Sequence, residues 1–67
     1  MKAEDATSLV HLQQHWQRDD GTRVYTIAFD DGVWSAVPEA DPTVALIARS
    51  AYELREILRE DFSARRW

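Results

Sequence analysis

Two histidines and two pairs of aspartates are the side chains here whose types and spacing could do chemistry. His11 and His15 stand four residues apart, a separation that suits two metal ligands on one face of a helix. On a strand the same separation is roughly 13 Å, at about 3.3 Å per residue, and a single ion cannot bridge it. No Asp, Glu or Cys stands at a recognisable ligand spacing from them. We therefore expect exposed histidines, no metal and no cofactor.

The pairs Asp19-Asp20 and Asp30-Asp31 could supply a general acid and base, or oxygen ligands for a hard cation. Each pair runs directly into a glycine, and Asp-Gly is a strong hairpin signal because both residues accept positive φ in a tight turn. Turn chemistry therefore explains the aspartates. Both glycines of the chain lie in these turns, which leaves no phosphate-binding loop and no G-x-S-x-G nucleophile motif. The chain is predicted not to be an enzyme.

Read as two-residue loops, the two Asp-Gly turns position three antiparallel strands. The first loop places Trp16 opposite Tyr25, and the second places Phe29 opposite Trp34. Because side chains alternate along a strand, both loops put one apolar set on the same side: Leu12, Trp16, Tyr25, Ile27, Phe29, Trp34 and Ala36. The opposite side collects small and polar residues with two valines: His11, Gln13, His15, Gln17, Val24, Thr26, Ala28, Ser35 and Val37.

Residues 8–17 fit two interpretations. Leu9, Leu12 and Trp16 recur at helical spacing. A strand would instead place alternate residues on one side: Val10, Leu12, Gln14 and Trp16. Pairing across the first turn favours the strand. The helical alternative gives the order α-β-β-β-α, which is that of double-stranded-RNA-binding domains. We expect residues 1–7 to form a flexible leader before one small domain of residues 8–67.

The second half of the chain predicts a further strand and a helix. Pro38 and Pro42 interrupt the ladder, and residues 43–48 (TVALIA) read as a fourth strand. Ser50 and Glu53 form a capping box, and the helix should run from Ala51 to about residue 62 or 63. Its apolar stripe holds Leu54, Ile57, Leu58 and Phe62. The predicted fold is α+β, a three- or four-stranded antiparallel β-meander with one C-terminal amphipathic helix packed on one face.

The composition of the chain limits the classes of partner that we expect. The chain has 67 residues, no cysteine and a formal net charge of −4. An acidic chain is not drawn to nucleic acid or to anionic membranes, and no apolar run reaches the roughly 18 residues that a membrane span needs. These features predict a cytoplasmic domain without membrane contact, and the missing cysteines are compatible with a reducing compartment.

About half of the chain resembles the N-terminal domain of HicB-type antitoxins. The resemblance rests on residues 25–29, Gly32, the run 34–39 (WSAVPE), residues 45–48 and the Ser-capped helix 50–60. The chain departs from the family at Ala40-Asp41-Pro42, where the family has a Pro-Gly-Cys-like turn, and we expect no DNA-binding segment after the helix. The resemblance implies a dimerising, partner-masking domain without the operator-binding half.

Together these features predict a small non-enzymatic protein-interaction or regulatory module, antitoxin-like or an accessory subunit, that forms a homodimer. It would bind through a sheet edge or the uncovered sheet face, and the C-terminal arginines and tryptophan could clamp a partner. The expected partner-binding residues are Val24, Thr26, Val37, Arg65, Arg66 and Trp67. The alternative is a nucleic-acid-binding regulator that uses Arg23, Arg49 and the C-terminal arginines.

Overall fold

The computed structural model describes residues 2–65, and in this range the chain forms an α+β fold of two helices and a three-stranded antiparallel sheet. The elements follow the order α1 (Ala3–His15), β1 (Tyr25–Asp30), β2 (Val33–Pro38), β3 (Leu46–Ala48) and α2 (Ala51–Ala64). Strand β2 lies in the centre, with β1 and β3 antiparallel on either side. The predicted α+β class is confirmed.

The hairpin at Asp31-Gly32 forms as predicted. Both turn residues have positive φ, 50° at Asp31 and 78° at Gly32, which matches the twist of the flanking strands. Phe29 pairs with Trp34 and Ile27 with Ala36 across this turn. The alternation of buried and exposed residues along β1 and β2 follows directly from this register.

The strand expected at residues 8–17 is wrong, because residues 8–15 belong to α1 and Trp16 is the C-terminal cap of that helix. Leu12 and Trp16 are buried and Leu9 is half-buried, so the apolar stripe of the helix faces the sheet. Two residues four apart satisfy both a strand period and a helical period, which is why Leu12 and Trp16 fitted either element. The helix begins at Ala3, within the segment expected to be a flexible leader. The carboxylates of Glu4 and Asp5 in its first turn interact favourably with the positive end of the helix dipole.

The Asp20-Gly21 turn reverses the chain without forming a hairpin of two strands. Gly21 has a φ of 89°, and the Asp20 carboxylate accepts from both the backbone and the hydroxyl of Thr22. One isolated bridge joins Gln17 to Arg23. The turn therefore connects α1 to β1, and it brings the rings of Trp16 and Tyr25 edge to face at 5.1 Å.

The alternation predicted that Val24 lies on the uncovered side of the sheet, and this prediction is wrong. It precedes β1, and both Val24 and Tyr25 are buried. Its N–H donates to Trp16 and its carbonyl accepts from Glu39, so the regular alternation starts only at Tyr25. The strand expected over 43–48 is also shorter, Leu46–Ala48, because turns closed by hydrogen bonds occupy residues 38–44.

Helix α2 begins where the capping residue predicts. The Ser50 hydroxyl accepts from the Glu53 amide at 3.0 Å, which satisfies one of the unpaired donors of the first turn. Leu54 and Leu58 are fully buried, and Ile57 packs at the edge of the core. The core lies between the helices and one side of the sheet: Leu12, Trp16, Val24, Tyr25, Ile27, Trp34, Ala36, Ala48, Leu54 and Leu58.

Candidate functional site

The side of the sheet turned away from the helices is the candidate interaction surface, and we call it the open face. Its residues alternate with the buried ones and come from all three strands: Thr26, Ala28, Asp30, Val33, Ser35, Val37 and Ile47. The register sets Ala28, Ser35 and Ile47 in one row across the sheet. This row holds no charge, and two of its three side chains are small, so the middle of the open face is flat.

Three aliphatic side chains give the open face an apolar part. Ile47 is 57% exposed and Val33 is 44% exposed, whereas Val37 is half-buried on the central strand. Asp30 lies at one end of this surface, opposite Val33 in the register. Exposed aliphatic residues are common singly, but here they share one flat surface beside small neighbours.

The edges of the sheet are less accessible than the open face. On the β1 edge, the Gln13 side-chain amide donates to the carbonyl of Ile27 at 3.0 Å. That bond occupies a backbone acceptor that an added strand would use. The other edge, β3, is only three residues long. Short edges and covered edges both discourage strand addition.

The structure places the predicted partner-binding residues in different surroundings. Val37 and Thr26 face each other in the register on the open face, and the Thr26 hydroxyl donates to a Glu39 carboxylate oxygen at 2.6 Å. Val24 is in the core. Arg65 lies at the end of α2, and Arg66 and Trp67 lie outside the described residues.

Arg65 belongs to a polar cluster that holds the end of α2 against the sheet. Its Nε donates to Asp61 Oδ2 at 2.8 Å, and the same oxygen accepts from the buried Tyr25 hydroxyl at 2.6 Å. Arg65 Nη1 also lies 3.9 Å from Asp41. The charge of Arg65 is thus shared with two carboxylates of its own domain.

The contacts among Tyr25, Asp61 and Arg65 shift the pKa of each of these three groups. Burial and then the hydrogen bond to Asp61 raise the pKa of Tyr25. Burial also works to raise the pKa of Asp61, but the hydrogen bonds from Arg65 and Tyr25 outweigh it and leave that pKa below its ordinary value. The hydrogen bond to Asp61 raises the pKa of Arg65. Tyr25 is therefore neutral and Asp61 ionised near neutral pH.

Among the described arginines of the nucleic-acid alternative, Arg23 and Arg49 are not brought together. Arg23 comes just before β1, at the end of the sheet where Tyr25 pairs with Pro38. Arg49 follows Ala48, which pairs with Trp34 at the other end. The two guanidinium groups thus belong to opposite ends of the sheet, and Arg65 is ion-paired.

The two histidines lie on one face of α1, because residues four apart on a helix are neighbours. Over residues 2–65, no group of three His, Cys, Asp or Glu side chains is placed to hold a metal ion. Instead, His11 and His15 line a cleft opposite Arg55 and Arg59 of α2. This cleft is not evident from the sequence: the helical interpretation of residues 8–17 aligns the histidines, but only tertiary packing shows which residues of α2 face them.

Neither helix in the described range has the length and apolar character that crossing a membrane requires. Comparison of the chain with protein-family models, with curated proteins and with solved structures gives no match in any of the three. The resemblance to HicB-type antitoxins therefore remains a prediction from the residues that carry it.

Proposed function

We propose that this chain is a small non-enzymatic protein-interaction module that pairs with a second copy of itself through the open face. The observation that carries the proposal is the set of aliphatic side chains, Val33, Val37 and Ile47, on a sheet face that neither helix covers. The resemblance to a dimerising antitoxin domain adds a regulatory role to this proposal.

Sheet-on-sheet stacking fits the shape of the open face. Stacked sheets lie about 10 Å apart, and their side chains interdigitate. Small residues such as Ala28 and Ser35 leave room for a larger side chain such as Ile47 from a second copy. The flat, uncharged middle row makes the surface complementary to itself, which a two-fold dimer requires.

Burial of the open face would also help a small chain. A domain of 67 residues is near the lower size limit for a core that folds alone. Removing apolar area from water stabilises by about 25 cal/mol per Å². Pairing with a second copy would remove the apolar area of the open face from water.

Light scattering coupled to size exclusion tests the proposal with two matched variants. The wild-type chain should have a mass above the 7.8 kDa of one copy, and Ile47→Asp on the open face should return it to one copy. Val10→Asp is the control, since Val10 is an exposed aliphatic residue on α1, and it should leave the dimer intact. A wild-type chain that is monomeric throughout the concentration range, or a dimer lost only in Val10→Asp, would contradict the proposal.

Salt separates this proposal from the nucleic-acid alternative. Each copy carries a net charge of −4, so screening should tighten self-association as ionic strength rises. Binding to nucleic acid would weaken with salt, because it depends on counterion release. Gel retardation at low salt that Arg23→Gln or Arg49→Gln removes would favour the alternative.

A further inference from the structure

A concave cleft lies between the two helices, on the layer of the molecule opposite the open face. It has a volume of about 430 Å³. Four polar side chains line it, two from each helix, together with an aliphatic side chain and an indole ring that carries one N–H donor: His11, His15, Arg55, Arg59, Leu12 and Trp16. None of these six is a carboxylate, which is unusual for a surface of an acidic chain.

The positive charge of the cleft is available to a ligand. Arg55 forms no ion pair within residues 2–65. Arg59 lies 3.8 Å from Glu56, but both side chains are well exposed, at 63% and 46%, and such a surface pair is weak. His11 and His15 add ring N–H donors to the opposite wall. The lining therefore favours an anion.

One residue that lines the cleft carries a buried donor with no partner among residues 2–65. Trp16 is 8% exposed, and its indole Nε1 is buried without a hydrogen-bond acceptor among the described residues. Buried N–H groups nearly always find an acceptor. The ring is held in place by Tyr25 at 5.1 Å and by Phe62 at 5.3 Å, so it is not expected to turn towards another protein group. Because Nε1 itself has almost no exposed surface, an oxygen of a bound ligand would satisfy it only if the side chains around it move.

We propose that this cleft binds a phosphate group, presented as inorganic phosphate or as a small phosphate monoester. A doubly charged phosphate has enough acceptor oxygens for several donors, and guanidinium forks match its geometry. Leu12 and Trp16 provide an apolar wall for the organic part of a monoester. The site is independent of pairing through the open face, because it uses residues of the helical layer alone.

The direct test is an NMR titration of the whole chain with sodium phosphate at constant ionic strength. The readouts are the indole N–H signal of Trp16, assigned with the Trp16→Phe variant, and the backbone amides around Arg55 and Arg59. We expect saturable shifts of these signals. Arg55→Gln and Arg59→Gln each remove one charge-assisted donor, so each variant should bind phosphate roughly tenfold more weakly than wild type.

Arg23→Gln is the matched control, since it removes the same charge from an exposed arginine that does not line the cleft, and its affinity should stay unchanged. Sodium chloride in place of phosphate should give no saturable shift. Saturable shifts with sodium chloride that equal those with phosphate would overturn the proposal. Phosphate-induced shifts that persist unchanged in both Arg55→Gln and Arg59→Gln would also overturn it. Shifts that do not include the Trp16 indole would also overturn it.

Two further probes distinguish the possible sources of the phosphate group. Phenyl phosphate should bind more tightly than inorganic phosphate if the ligand is a monoester whose organic part lies on Leu12 and Trp16. Equal or weaker binding assigns the site to free phosphate. A single-stranded oligonucleotide, which carries only diesters, should compete poorly; tighter binding by the oligonucleotide than by either probe would replace the proposal with nucleic-acid recognition.

Discussion

The two faces of the sheet come from the same strands and differ in almost every physical property. One face carries large side chains such as Tyr25 and Trp34, which both helices cover. The other carries Ala28, Ser35 and Ile47 in an uncharged row that neither helix covers. Because neighbouring residues point to opposite sides, one stretch of chain both builds the core and leaves a surface for a partner. Stability should depend on the covered face, and association on the open face.

The largest expected effect lies on the covered face. Leu58→Ala removes a fully buried side chain and should lower the free energy of unfolding by about 2–5 kcal/mol. Proteins hold only about 0.05–0.15 kcal/mol per residue, so this change should unfold a large fraction of so short a chain. Thermal or urea unfolding followed by circular dichroism measures it. A loss no larger than that of an exposed substitution would contradict the assigned core.

The cluster of Tyr25, Asp61 and Arg65 sharpens the comparison, because it ties α2 to the covered face. Asp61→Asn removes the charged oxygen that accepts from both neighbours and should cost about 1–2 kcal/mol. Chemical denaturation at neutral pH measures the loss. Glu60→Gln is the matched control on an exposed neighbour and should change little. Equal losses in the two variants would mean that the cluster adds no stability.

The same cluster predicts a dependence of stability on pH. The pKa of Asp61 is lower when folded than its ordinary value of 3.8, so the unfolded chain binds the proton more readily. Its contribution is complete above that ordinary value and is lost as the pH falls through the lowered folded pKa. The difference in stability between wild type and Asp61→Asn should therefore shrink in strong acid. A difference that stays constant from neutral pH to strong acid would contradict the lowered pKa.

The start of α2 should contribute less. Ser50→Ala removes the hydroxyl that accepts from the Glu53 amide and should cost about 1 kcal/mol. Lys2 occupies the same position in α1 and makes no side-chain capping bond, so Lys2→Ala should cost under about 0.5 kcal/mol. Paired denaturation curves measure both. Equal costs would show that the observed capping bond does not stabilise α2.

The smallest effect on the single domain should come from the open face. Ile47→Ala shortens a side chain that is more than half exposed, and in dilute, monomeric samples it should change stability by under about 0.5 kcal/mol. At high concentration the same variant should lose part of the added stability that self-association gives. A large loss in dilute samples would mean that Ile47 belongs to the core of one copy.

The elements that the sequence predicted correctly depend on neighbours in the chain. Asp31-Gly32 supplies two positive φ values in succession, and Ser50 caps the helix that follows it. The structure of residues 8–17 depends instead on packing against residues distant in the chain. Leu12 and Trp16 fit both a strand and a helix until the position of the sheet beneath them is known. The strand pairing predicted for Trp16 and Tyr25 is wrong, but their rings do meet, with Trp16 at the C-terminal cap of α1.

The two candidate sites also differ in whether neighbouring residues in the chain predict them. The open-face positions of Thr26 and Val37 follow from the local register of one hairpin. The cleft does not, because it depends on the face that α1 turns towards Arg55 and Arg59 of α2. Such an arrangement of two helices is set by ridges and grooves across the core, and no spacing within either segment reveals it.

Isotope-filtered NOE spectra of a mixture of labelled and unlabelled chains test the central claim most directly. If copies pair through the open face, contacts between copies should arise from the methyl groups of Val33, Val37 and Ile47. Contacts between copies that involve only the helices, or no such contacts in a sample with the mass of a dimer, would contradict it.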